Sequence, residues 1–348
     1  MLTSTNIVAS QATLMFQEAA EAPQAVARFL ERNAEALMRL RARLTAQPPK
    51  SVTTCARGSS DHAATYGKYM IETYLGIPTS SAALSVSSIY EAPIRGADAL
   101  CIAISQSGRS PDLLTTVQSY KAEGAFVIAL VNDETSPLAE LADEILPLCA
   151  GPEFSVAATK SYIAALAGLA ALVAHWSDNA ALLAGLQTLP AQLTEAFALD
   201  WSPALAGLTR AQNLFVIGRG YGFAAAQEAA LKLKETCALH AEAFSAAEVR
   251  HGPMAIVKAG FPVLAFATSD AAGDGVREVA QAFAARGADV WLADPGVARS
   301  QLPALKTEPA FEPLLLIASF YRLANDVSLA RGLNPDSPPH LNKVTRTT

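Results

Sequence analysis

The chain has 348 residues, long for one ordinary α/β domain and comfortable for two. Apolar residues make up 51% and charged residues only 17%, which excludes a disordered or nucleic-acid-coating protein. The formal net charge is −6, and no Lys/Arg stripe interleaved with aromatics is present, so no nucleic-acid partner is expected. Residues 10–45 read as two helices, with Pro23 opening the second. Beyond them strands and helices alternate. Strand-like runs fall at 51–55, 99–104, 126–131, 213–217, 262–267 and 289–293. Helical stretches fall between them, at 59–75, 110–123, 159–176, 222–237, 273–286 and 311–330. This alternation predicts an α/β fold with doubly wound parallel sheets, helices on both faces.

An internal repeat of about 160 residues points to duplication of one domain rather than a solenoid. Arg57-Gly58 after the first strand matches Arg219-Gly220 after a later one, and Ala63-Ala64 matches Ala225-Ala226. Gly124-Ala125 likewise matches Gly287-Ala288. The expected organisation is N-terminal helices at 1–45, a first domain at 46–177, a linker at 178–204 and a second domain at 205–348. The Ala-rich run near 162–175 is shorter than a membrane span and reads as a buried helix, so no membrane partner is expected. The N-terminus lacks a basic segment followed by an apolar run, so no signal peptide is expected. The four cysteines are scattered and read as reduced thiols of a cytoplasmic protein, not a disulfide frame or zinc site.

Ligands of doubly wound folds bind beyond the carboxyl ends of the strands, where several motifs fall. SQSGRS at 105–110 follows an apolar strand and precedes Pro111. Its hydroxyls and Gly108, at a helix start, suit an anion; the alternative is a helix-capping turn. ARGSSD at 56–61 repeats the pattern, with Ser59 and Ser60 as further anion ligands or Ser60 or Asp61 as an ordinary cap. GRGYGF at 218–223 lacks the third glycine of a dinucleotide fingerprint, so a nicotinamide cofactor ranks below the alternatives. In EAALKLKE, Glu228, Lys232 and Glu235 share one helical face, either as a solvated stripe or as a base set beside a lysine. HAEAFSAAEVRHGP at 240–253 lacks metal-ligand spacing; its His251 before Gly-Pro suits an exposed proton shuttle. His62, His175 and His340 have no informative company, and Lys343 in the polar tail carries no signal of its own.

SQSGRSPD, VAATK at 156–160, EAALKLKE and HAEAFSAAEVRHGP together resemble the sugar-isomerase (SIS) family. The likeness is to the isomerase part of glutamine–fructose-6-phosphate aminotransferases and to stand-alone glucosamine-6-phosphate deaminases, and it covers nearly the whole chain. It implies two flavodoxin-like SIS domains and no cofactor or metal. By the same resemblance Ser59, Ser60, Ser105, Gln106, Ser107 and Ser110 would hold a sugar phosphate, with a backbone contact from Val156. Glu235 would move a proton between C1 and C2, assisted by Glu228 and Lys232; His251 would open the ring and complete a partner's site in a homodimer. Lys343 matches a tail lysine that forms an imine with the ketose. The family's threonine is Ser110 here, a frequent serine is Ala158, and Arg57 adds charge near the expected phosphate. The chain begins MLTSTN, without the cysteine-led domain that hydrolyses glutamine, so ammonia from glutamine is not expected. The expected reaction is deaminating isomerisation of glucosamine 6-phosphate to fructose 6-phosphate and ammonia. A phosphosugar isomerase, an ammonia-dependent synthase, a different epimer and a non-catalytic sugar-phosphate sensor are the alternatives.

Overall fold

The computed structural model describes residues 10–297 and 300–343. These form two compact units. The first gathers Gln24–Pro152 and Lys160–Gln187 with Asn342 and Lys343; the second gathers residues up to Pro23, Glu153–Thr159 and Thr188–Leu341.

The first unit holds β1 (Ser51–Cys55), β2 (Thr79–Ser81), β3 (Ala99–Ser105), β4 (Phe126–Val131) and β5 (Glu144–Pro147). They form one parallel sheet in the order β2-β1-β3-β4-β5, the flavodoxin-like order. Every residue of β3 is buried, because helices cover both faces; its sequence therefore reads as an unbroken apolar run instead of an alternating one. Helix Lys160–Trp176 is buried along almost its whole length and packs on helix Ser59–Leu75. A Cβ at Gly67 would stand 3.0 Å from Leu169 Cδ2, so the missing side chain sets this close approach. Among the described residues no helix is long and apolar enough to cross a membrane.

The second unit holds β6 (Asn213–Gly218), β7 (His240–Ser245), β8 (Pro262–Phe266) and β9 (Asp289–Ala293), all parallel, in the order β7-β6-β8-β9. Phe215 anchors the core on one face, edge-on to Phe244 and Phe261 with both centroids 4.9 Å away. On the other, helix Gly222–Cys237 packs against helix Glu312–Ala330, and Ser328 Oγ donates to the Thr236 carbonyl at 2.7 Å.

The duplication is written in backbone geometry. Gly58 and Gly220, equivalent in the repeat, have φ of 55° and 56°. Gly124 and Gly287, also equivalent, have φ of 89° and 80°. Both pairs occupy the left-handed region, which is costly for any residue with a Cβ.

The structure differs from the sequence reading in four places. Between residues 14 and 46 the chain forms three helices, Leu14–Ala20, Ala22–Arg32 and Ala34–Ala46, where the sequence reading had two over 10–45. The second break falls at Asn33, whose amide is drawn to the Phe29 and Pro147 carbonyls at 2.9 and 3.0 Å. Strands β2 and β5 carry no periodic signal, being three and four residues long at the sheet edges. The start of the histidine-containing segment is strand β7, whose residues are mostly only part-buried, so its pattern is mixed. Between 178 and 204 the chain is mainly the helix Ala180–Ala198, with Pro190 inside it.

Candidate active site

In the first unit, loops 56–61 and 105–110 leave the carboxyl ends of β1 and β3, which are neighbours in the sheet. The Arg57 guanidinium crosses between them and grips buried Asp112 Oδ2 through Nε at 2.9 Å and Nη2 at 2.6 Å. The extra charge expected near a phosphate is therefore already paired, and it ties loop 56–61 to the first turn of helix Pro111–Ala122. Ser105 is buried, and its Oγ accepts from the Gly108 amide at 2.9 Å, closing the turn. Gly108 has φ of 64°, and a Cβ there would stand 2.2 Å from Ser136 Oγ. Only glycine fits. Arg109 pairs with Asp133 at 2.8 Å. Hydrogen bonds from Thr135, then Arg109, hold the Asp133 carboxyl down at about 2.

Ser110 stands at the N-cap of helix Pro111–Ala122 but makes no side-chain capping bond. Ser59 and Ser60 lie in the first turn of helix Ser59–Leu75, whose cap position is Gly58. The simple capping reading of these serines is thus not realised. Gln106, Ser107, Ser59, Ser60 and Ser110 are all half-buried. Lys343, the last described residue, belongs to this unit and is half-buried.

In the second unit the row Glu228, Lys232, Glu235 is no solvated stripe. Glu228 and Lys232 are 0% and 1% exposed, and the Glu235 side chain is 22% exposed. Lys232 Nζ lies 3.4 Å from Glu228 Oε1 and 2.5 Å from Glu235 Oε2. Burial alone pulls the ammonium toward its neutral form, but Glu228, Glu235 and Glu153 outweigh it and raise the lysine above its ordinary value. The Tyr321 hydroxyl donates to Glu228 Oε1 at 3.1 Å, fixing the carboxylate from the neighbouring helix. The row does not lie wholly at the carboxyl ends of the strands. Helix Gly222–Cys237 leaves β6 and returns antiparallel to it, which carries Glu235 about 20 Å down the axis from the helix start.

The segment 153–159 is held by carboxylates. Buried Glu18 accepts the amides of Phe154 and Ser155, and Glu153 accepts the Thr159 amide at 3.0 Å. The Val156 amide donates to the Asp336 carbonyl at 3.0 Å. His251 is exposed in a turn between the short 3-10 helices Glu248–Arg250 and Pro253–Ile256. Its successor Gly252 has φ of 135°. Gly218 of GRGYGF is explained by packing, since a Cβ there would stand 2.5 Å from the Gly222 carbonyl oxygen.

The structure thus brings the serine loops together in the first unit and the Glu–Lys–Glu row in the second. Glu153, Glu18 and Tyr321 escaped the sequence reading. Each acts on a residue remote in sequence, and no spacing rule links them.

The SIS domain model matches residues 47–175 and 207–293. A glutamine–fructose-6-phosphate aminotransferase from Symbiobacterium thermophilum is 34% identical over 84% of this chain, which covers 51% of that protein. The chain spans about half the length of the aminotransferases it matches. The structure of an inferred phosphosugar isomerase from Silicibacter pomeroyi DSS-3 is 43% identical, with a TM-score of 0.89 over 93% of this chain and 100% of that one. A glucosamine-6-phosphate deaminase from Thermotoga maritima shares the fold at 22% identity, with a TM-score of 0.78 over 96% of this chain and 100% of that one.

Proposed function

The chain belongs to the SIS domain family, and from that premise we propose that it is an enzyme converting glucosamine 6-phosphate and water to fructose 6-phosphate and ammonia. The observation that carries the reading is the buried lysine clamped by two carboxylates on helix Gly222–Cys237. A buried ion pair is costly to desolvate and is weak evidence of stability, so its presence asks for a chemical reason.

In this reading the hydroxyls of Ser59, Ser60, Ser105, Ser107 and Ser110, with Gln106, take the phosphate group. The two helix starts supply amide hydrogens and favourable dipoles. His251 protonates the ring oxygen and the sugar opens to its aldehyde. Glu235 removes the C2 proton and returns it to C1, while the C1 oxygen gains a proton to become a hydroxyl. The C2 amine becomes an imine; water adds to it and ammonia leaves. Lys232 stabilises negative charge developing on the intermediate, and Glu228 holds Lys232 in place. Val156 makes a backbone contact with the sugar, and Lys343 is the amine that would form an imine with the ketose. Exposed His251 serves a partner's site in a homodimer. The enzyme works in the cytoplasm, where thiols stay reduced; Cys55 and Cys101 are free thiols that share a hydrogen bond at 3.7 Å.

A second reading, aldose–ketose isomerisation with no amine released, is favoured by the 43% identity to an inferred phosphosugar isomerase. Purified protein given glucosamine 6-phosphate separates the two: ammonia formed in step with fructose 6-phosphate supports deamination. Interconversion of glucose and fructose 6-phosphates with no ammonia from the amino sugar rejects it.

A further inference from the structure

The amino ends of the central strands in the second sheet enclose an open hollow of about 440 Å³ that contains none of the residues assigned above. Its walls are the residues just before β6 and β8, with Arg210, Gln212, Asn213, Ile256, Lys258 and Phe261 prominent. Arg210 ends helix Ser202–Arg210, and Lys258 lies in the loop before β8. Among the described residues neither cation has a carboxylate partner, and no carboxylate lines the hollow. Asp289 opens β9 opposite Pro262 but is not part of the wall. The floor is apolar and firm, since Phe261 packs edge-on against Phe215 at 4.9 Å. Ile256, 58% exposed, stands among the lining residues.

The duplicated fold supplies an internal comparison. The first sheet has a hollow at the amino ends of β1, β3 and β4, where Arg43, Lys50, Asp98 and Phe126 are among the lining residues. There both cations are engaged: Lys50 pairs with Asp98 at 2.7 Å, and Arg43 lies 3.9 Å over the Phe126 ring. One corner has therefore neutralised or stacked its charges, while the other keeps an Arg and a Lys facing an amide-rimmed hollow with an apolar floor.

We propose that the second-sheet hollow is a binding site for a phosphorylated small molecule, distinct from the serine loops. The Arg fork and the Lys point charge together suit a phosphate, the Gln212 and Asn213 amides suit its ester oxygen or hydroxyls, and the apolar floor suits a ring. The volume falls in the range of small-ligand pockets.

Equilibrium dialysis with inorganic phosphate and with glucose 6-phosphate tests this on the full chain and on two variants, R210Q/K258Q and S105A/S107A. The expected result is one equivalent of glucose 6-phosphate lost, or bound at least about tenfold more weakly, in R210Q/K258Q with the folding midpoint unchanged. That loss is expected whether or not S105A/S107A removes another equivalent, so failure of the serine-loop reading leaves this result intact. Weaker retention of inorganic phosphate than of the sugar phosphate at this site identifies the ring floor as part of it; equal retention identifies a bare phosphate site. Glucose 6-phosphate binding by R210Q/K258Q equal in number and strength to the wild type overturns the proposal.

Discussion

Replacing Lys232 by methionine isolates the central electrostatic feature. The change nearly preserves volume and removes the ammonium that bridges Glu228 and Glu235. Glu235, whose side chain is 22% exposed, can turn to water. Glu228, 0% exposed, cannot; the Tyr321 hydroxyl still donates to it at 3.1 Å but carries no compensating charge. Breaking a buried pair in this way costs about 3–5 kcal/mol, most of it the stranded carboxylate. The double variant E228Q/K232M removes that charge and should recover at least about half of the loss. Urea unfolding followed by tryptophan fluorescence at pH 7 reads both. The pH dependence has a defined sign. The folded-state value of Lys232 lies above the ordinary 10.5, so its contribution is full below pH 10.5 and disappears as pH rises through the raised value. The gap between wild type and K232M should therefore be level from pH 7 to 9 and shrink only in stronger alkali. A K232M protein within about 1 kcal/mol of wild type at pH 7 refutes the reasoning.

Other perturbations follow from single contacts. Gly108→Ala must accept a positive φ and push Ser136 aside; the left-handed conformation alone costs about 1 kcal/mol, and sugar-phosphate binding should weaken with the distorted loop, which calorimetry reads. Asp133 should titrate at about 2 by carbon NMR, and Thr135→Val should raise it toward 3.8, because Thr135 supplies the first of its stabilising hydrogen bonds. Burial pushes the Cys237 thiol up to about 11, so iodoacetamide at pH 8 should leave it unlabelled in the folded protein and modify it only after unfolding.

Much of the fold was legible because its signals are local. Strand β1, helix Ser59–Leu75 and helix Gly222–Cys237 stand at the boundaries that apolar runs and glycine punctuation predict. Glycines of the repeat announced the duplication, since left-handed turns demand them at the same offsets. What escaped depends on neighbours. Strand β2 is three residues whose only reason to extend is the partner β1. The row at 228–235 was visible as a helical face, but whether that face met water or protein could not be read from spacing; Tyr321 and Glu153 decide it from elsewhere in the chain. Arg57 read as added charge near the expected phosphate; its partner Asp112, 0% exposed at the side chain, lies 55 positions away and no spacing rule announces it.

The most direct test of the account is proton traffic at the sugar. Glucosamine 6-phosphate incubated with the enzyme in heavy water, and followed by proton NMR, should lose its C2 hydrogen signal as fructose 6-phosphate accumulates, with deuterium at C1 in those turnovers in which the part-exposed Glu235 carboxyl exchanges its proton with solvent before returning it. Glu235→Gln should slow this by at least about a hundredfold while leaving sugar-phosphate binding intact. Unchanged substrate in the wild-type reaction, or full exchange by the Glu235→Gln protein, contradicts the account.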